Sequence, residues 1–380
     1  MINKHRLIKL TQKLISVNSE NPPGRELALA KFIERDMRSL GLAVRTYTYA
    51  KGRPNVVATL KGVWPRPKAA KEAILLTPHV DTVPIGKGWK HKPLGGEIRN
   101  GKLYGRGATD DKGNLASCME LMRSLVEDGV KLDKDVIMAA TVDEETGSRY
   151  GIIPLLEHGI LRPRLALVMD SDEFNAIIAQ KGLIHMRIQI LGKKAHGAYV
   201  WQGVNAIEIA ARVINKLKTN NWRFARHPLL RPPTMNVGVI HGGEKVNVVS
   251  DFCEFALDAR FVPGMDPKKI LNKIRAVIKS ETGRFRVEVD DVQMPYEINR
   301  RHVFVRTYLK TANGCGCQAR PRGSEGATVM TFFRKYGIAA FATGFGAPGT
   351  AHTNDEYIHI RTLFRGTQML EQFIKEYDRL

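Results

Sequence analysis

Short apolar runs that each end in acids or a histidine set the strongest limit on what this chain can fold into. Ala73–Thr77 leads into Pro78 and His79, Asp135–Val142 into Asp143, Glu144 and Glu145, and Leu165–Met169 into Asp170. With no clean polar alternation, these runs read as strands buried on both faces. Asn55–Leu60 is a further strand, and Asn114–Glu127 and Ile152–His158 carry helical spacing between strands. The alternation predicts an α/β domain built on a mostly parallel sheet. Ahead of it, Leu7, Leu10, Leu14 and Ile15 fall at helical spacing, the NPPG of Asn21–Gly24 stops that helix, and Leu27–Leu40 resumes the pattern.

The character changes after Gly182. Leu183–Leu191 alternates as a strand, Asn205–Lys218 is an amphipathic helix, and Met235–Ile240 and Phe252–Phe261 are strands. A helix over Pro267–Glu281 follows, with Asp266 at its N-cap and Pro267 in its first position, then a strand at Phe285–Val289. The order β-α-β-β-α-β is a ferredoxin-like α+β pattern. The expected organisation is therefore a first domain over residues 1–182, an insert over 183–293, and a return to the first domain over 294–380.

The polar ends of the runs carry the chemistry. His79 and Asp81 are two apart and face one way at a strand end, where a carboxylate can fix the tautomer of a metal-binding histidine. In GKLYGRGATDDKG, Gly105 and Gly107 permit a tight backbone approach before Asp110 and Asp111, and a single carboxylate can bridge two cations. In TVDEETGS one acid can ligate while its neighbour acts as a base. Asp170 closes LALVMD, and His352 lies in GAPGTAHTNDEY. Singly, each admits a bland alternative: a surface polar pair, a turn with a helix cap, a solvated acidic loop. Together, His79, Asp110, Glu145, Asp170 and His352 fall at predicted strand ends, where open sheets place their ligand crevices. The set suits two zinc ions, each taking an imidazole and carboxylate oxygens at about 2.0–2.2 Å, and the absence of cysteine from it points to catalytic rather than structural zinc. Cobalt or manganese would accept the same donors.

Other classes are weighed against this. The net charge of +21 raises nucleic-acid binding, but the basic residues are scattered and no nucleic-acid-binding motif accompanies them. The chain's 4 cysteines do not make a disulfide framework, and Cys315 and Cys317 form a C-x-C without a second pair at zinc-ribbon spacing. No apolar stretch is long enough to span a membrane, and Lys9, Gln12 and Lys13 interrupt any signal-peptide core, so a cytoplasmic location is expected.

At these residues the sequence resembles the zinc peptidase family that contains acetylornithine deacetylase, succinyl-diaminopimelate desuccinylase, aminoacylase and glutamate carboxypeptidase. The likeness runs through SENPPGRE, HVDTVP, GRGATDDKG, DEETGS, Asp170, KKAHGA with GVNAI, the segment ending at Asn247, DARF and AHTNDE. The resemblance implies that His79 and Asp170 hold one zinc, Glu145 and His352 the other, and that Asp110 bridges them. It implies Asp81 orienting His79, Glu144 as general base, and a cis peptide at Asp110–Asp111. It further implies a homodimer in which His196 of the inserted dimerisation/lid domain reaches across to the oxyanion, and Asn247 and Arg260 gripping a substrate carboxylate. The implied activity is amide hydrolysis of an N-acyl amino acid, with carboxypeptidase-like or dipeptidase action as the runner-up. Two departures stand out: Asp111 replaces the methionine most often seen in the deacylases, and Glu325 replaces a common aspartate.

Overall fold

The computed structural model describes residues 1–220 and 222–380. The chain divides into two compact units, one of Met1–Ile178, Ile298–Arg322 and Thr328–Leu380, the other of Ala179–Glu297 and Gly323–Ala327. Breaks expected after Gly182 and residue 293 thus compare with partings at Ile178 and Glu297, and the short return Gly323–Ala327 has no counterpart in the sequence reading.

In the first unit the strands lie in the order Ala43–Ala50, Arg53–Leu60, Val136–Ala140, Ile74–Thr77, Leu165–Val168, Ala339–Ala342 and Ala176–Gln180. The middle pairs are parallel, with Ile74 opposite both Val136 and Leu165, and Ala339 opposite Leu165. The flanking pairs are antiparallel. Every side chain of Ile74–Thr77 and Leu165–Val168 is buried, which is why these runs lack alternation. Fully burying such a Leu or Val contributes about 1.5–3 kcal/mol. The Lys112–Glu127 helix is buried on almost all sides, between the Lys4–Ser16 and Ile360–Asp378 helices. Its inward Glu120 is matched by Arg6, whose Nε and Nη2 donate to it at 2.7 and 2.8 Å. No helix among the described residues is long and apolar enough to cross a membrane.

The second unit carries a four-stranded antiparallel sheet in the order Thr234–Gly242, Phe252–Phe261, Gly182–Leu191 and Phe285–Gln293. Helices Ala206–Thr219 and Pro267–Lys279 pack on one face through Ile209, Val213, Ile270, Ile274 and Ile278. This is the ferredoxin-like order; Asp266 is the anticipated cap, accepting from Lys268 N, and Asn205, expected as the first helical residue, instead caps Ala206–Thr219 by accepting from Ile207 N.

Candidate metal centre

The parallel strands end on one edge, and the chemistry-bearing side chains come from the loops that leave it. His79 follows Ile74–Thr77 and stays beside the neighbouring strand, since Val80 N donates to the Thr141 carbonyl at 2.8 Å. Its ring is 3% exposed. Nδ1 lies 3.0 Å from the Asp81 main-chain oxygen and 3.6 Å from its carboxylate, so the closer restraint on the ring is the backbone of Asp81. The Asp81 carboxylate instead accepts from Asn21 Nδ2 at 2.8 Å and from the amides of Glu144 and Glu145 at 3.2 and 3.1 Å. It clamps the turn that presents both glutamates.

The three consecutive acids separate by backbone geometry. Asp143 adopts φ 68°, in the left-handed region, and turns its carboxylate to Arg53 Nη1 at 2.9 Å and Tyr150 N at 3.1 Å. Glu145 sends Oε2 to within 3.2 Å of His352 Nε2, while Val83 N donates to its Oε1 at 3.2 Å. Asp110, joined to Asp111 by the expected cis peptide, offers Oδ1 to His79 Nε2 at 2.8 Å and Oδ2 to His352 Nε2 at 2.9 Å. One carboxylate thus stands between the two imidazoles. Donor atoms of His79, Asp110 and Glu145 lie within 4.8 Å of one another, as do those of His79, Glu144 and Asp170. His352, at φ 63°, is the most exposed member, with 54% of its side chain accessible. The loop after Asp170 packs against Gly344, where an added Cβ would meet the Ser171 carbonyl at 1.9 Å, so only glycine fits there.

One organising residue carried no role in the sequence reading. Glu356 is fully buried; its Oε1 accepts from Thr109 N at 2.9 Å and Asp110 N at 3.0 Å, and its Oε2 from Gly107 N at 3.1 Å and Arg106 Nη1 at 2.7 Å. It folds the loop that presents Asp110. Asp111 is also inward, accepting from His79 N at 2.9 Å and Asn114 Nδ2 at 2.7 Å. The only hint in the sequence was an acid in the same segment as His352, facing the glycines and arginine of GRG.

Electrostatically the cluster is held by protons and by its own histidines. Burial alone would push Asp110 up, but hydrogen bonds from His352 and His79 outweigh it and hold the carboxyl well below the usual range. Burial, then the charge of Asp110, raises Asp170 to about 7. Burial and Asp170 push Glu144 well above its ordinary value. Asp110 and Glu145 raise His352 to about 10. Such a concentration of nitrogen and oxygen donors, kept together by protons that a cation could replace, fits divalent metal ions. Binding then has a definite pH sign. Below about pH 7 Asp170 keeps its proton, and His352 keeps its own up to about 10, so affinity for a metal held there is expected to fall as pH is lowered, with protons released on binding. Calorimetry at pH 8 and pH 6, in buffers of different ionisation enthalpy, reads both; equal affinity at the two pH values would contradict it.

The remaining sequence-predicted residues lie in the second unit. His196 and Asn247 lie side by side on a short antiparallel strand pair: His196 pairs with Val248, and Gly197 N donates to the Asn247 carbonyl at 2.8 Å. Both are exposed. Arg260 lies near the far end of the Phe252–Phe261 strand, about 25 Å along it at the roughly 3.3 Å rise of strands. Its guanidinium is held by Asp258, with Nε to Oδ1 at 2.8 Å and Nη2 to Oδ2 at 3.0 Å. Within this unit, then, the structure joins His196 to Asn247 but not Asn247 to Arg260.

The model of peptidase family M20/M25/M40 matches residues 75–376. Solved structures share the fold over nearly the whole chain. A tripeptidase from Staphylococcus aureus is 24% identical with a TM-score of 0.83, covering 100% of both chains. A metallo-carboxypeptidase of the M20 family from Sulfolobus solfataricus is 19% identical with a TM-score of 0.82, covering 98% of this chain and 99% of that one. A dinuclear metal-binding peptidase of the M20 family from Bacillus subtilis is 16% identical with a TM-score of 0.74, covering 98% and 97%.

Proposed function

Since the chain belongs to peptidase family M20/M25/M40, we propose that it is a two-metal hydrolase cleaving the amide bond of a small N-acyl amino acid or short peptide. The observation that carries this is the Asp110 carboxylate standing between His79 and His352, with Glu145 and Asp170 beside them. Two divalent ions, zinc by the donor set, would be held by His79 with Asp170 and by His352 with Glu145. When bound, they supply Lewis-acid polarisation of the scissile carbonyl and acidify the attacking water. Glu144, beside His79 and Asp170 and anchored through its amide to Asp81, takes the proton of that water and returns it to the leaving amine. Glu356 holds the Asp110 loop in place throughout.

His196 acts from a second copy of the chain, donating to the developing oxyanion. Two features support the dimer. The paired strands mean that His196 and Asn247 move together, so a partner that supplies His196 supplies Asn247 as well. The edge strand Thr234–Gly242 also leaves Val239 and Ile240 49% exposed, a surface suited to pairing with a second copy. Mixing His196→Ala with Glu144→Ala subunits is expected to restore up to a quarter of the activity, the share of active sites drawing an intact residue from each chain. Silent mixtures would count against action in trans.

For the substrate, the N-acyl amino acid reading comes from the deacylase-like motifs. A second reading, a di- or tripeptide, is favoured by Asp111 and by the tripeptidase and carboxypeptidase named among the similar structures. Assaying N-acetylornithine, N-succinyl-diaminopimelate, a C-terminal glutamyl peptide and a tripeptide side by side on zinc-loaded protein decides between them. Hydrolysis of none, with metal bound, would overturn the proposal.

A further inference from the structure

We propose that a groove in the first unit, walled by the loop that follows Asp170, binds a small phosphate-bearing anion. The groove has a volume of about 400 Å³, and its polar lining is Arg320, Arg322, Arg365, Asn175, Gln318 and Glu173. None of the metal-centre residues lines it.

Arg320 and Arg322 are alternate residues at the Pro321–Ser324 strand and so project to one side. Arg365 comes from the Ile360–Asp378 helix, and its fork is already oriented, with Nε donating to the Cys315 carbonyl at 3.1 Å. It crosses the backbone at Gly316, where a Cβ would stand 2.6 Å from Nη2. Among the described residues none of these guanidiniums has an ion-pair partner, although Glu173 shares the groove. Elsewhere on this protein surface arginines do find carboxylates, as Arg38, Arg123, Arg187 and Arg212 show. Three like charges gathered in a concavity repel one another until a counter-anion enters. Planar guanidiniums chelate phosphate oxygens in pairs, and Phe174 and Thr362 leave an organic remainder something to lie against.

The walls are also unusual in their backbone. Glu173 and Phe174, adjacent and neither a glycine, take φ 53° and 62°, and Gln318 opposite takes φ 50°. Such conformations in non-glycine residues cluster at ligand clamps and switch regions. They are held from several sides: Phe174 N donates to Gly344 O at 3.0 Å, Tyr308 Oη donates to Phe174 O at 2.9 Å, and Arg320 N donates to Asn175 Oδ1 at 3.1 Å. An anion bound by the arginines therefore ties down the loop whose first residue is Asp170. The expected consequence, which rests on the metal-centre reading, is slower loss of metal to a chelator. Binding itself does not depend on that reading.

The test is calorimetry on the metal-loaded protein with inorganic phosphate, glycerol 3-phosphate and succinate at low ionic strength. Because the metal centre also attracts phosphate, the step of interest is the one the arginines control. Affinity for both phosphate compounds is expected to fall at least tenfold in R320Q/R322Q, whose replaced side chains are exposed, and again in R365Q. R300Q, exposed but outside the groove, should match the wild type. Identical isotherms for the wild type and the groove variants overturn the site, and arginine-dependent binding of succinate alone overturns the phosphate assignment. Phosphate should also slow metal loss severalfold in the wild type but not in R320Q/R322Q; an equal rate with and without phosphate overturns the link to Asp170.

Discussion

Glu144→Gln is expected to lower kcat by about a thousandfold while leaving bound metal and KM nearly unchanged. General acid–base catalysis typically contributes about 10²–10⁴ in rate, and glutamine removes it with almost no change of volume. The Glu144 amide stays on the Asp81 carboxylate, so the turn should hold its shape. The half-buried carboxyl, pushed up by desolvation and by the neighbouring charge of Asp170, binds a proton more tightly than a surface glutamate would. That suits a group that must accept a proton from water and later release it to an amine. Glu145→Gln is the contrasting control. Its carboxylate touches His352 directly, so the expected loss there is metal first and turnover as a result. Elemental analysis beside steady-state kinetics separates the two. A Glu144→Gln protein that keeps its metal and its rate would remove Glu144 from the mechanism.

The two variants differ by one residue position, and that difference marks where the sequence stopped being informative. Asp143, Glu144 and Glu145 are alike in type, and a run of acids after a strand announces a site without saying which acid faces it. The left-handed turn at Asp143 and the reach of Arg53 from another strand decide it, and neither is local to the run. By contrast, the apolar runs themselves were legible because burial on both faces removes alternation, so strand ends and hence the loops bearing His79, Glu145 and Asp170 could be located. Ala43–Ala50 escaped notice for the opposite reason: it lies at the sheet's edge with most residues exposed or half-exposed, and no face reads clearly. The pairing of Asn247 with Arg260 came from the family resemblance, whereas their separation within this unit is a matter of topology.

Glu356 escaped notice because three of its four partners are backbone amides, which leave no trace in residue type, and replacing it is expected to have the largest effect on stability. Glu356→Ala leaves Arg106 buried without its counter-charge and strands the amides of Gly107, Thr109 and Asp110. Arg106 Nε already lacks a hydrogen-bond partner among the described residues, and the contacts left to the guanidinium are neutral: the carbonyls of Thr353 and Pro84, at 3.2 and 3.4 Å, and the Trp89 ring. Breaking a buried ion pair from one side costs about 3–5 kcal/mol, and a denaturant midpoint should register it at once. A purely structural glutamate would show only that. Because these amides set the position of Asp110, the milder Glu356→Gln should also weaken metal binding by about 10–100-fold, the usual range for groups that orient metal ligands. The glutamine keeps one carbonyl oxygen for part of the amide set but turns an NH₂ toward the remaining donors, so the loop shifts without unfolding. Metal affinity of Glu356→Gln, measured where the protein is still fully folded, is therefore the discriminating quantity. Wild-type affinity in a destabilised protein would reduce Glu356 to a core ion pair; weakened affinity in a folded one makes it the residue that sets where the bridging carboxylate stands.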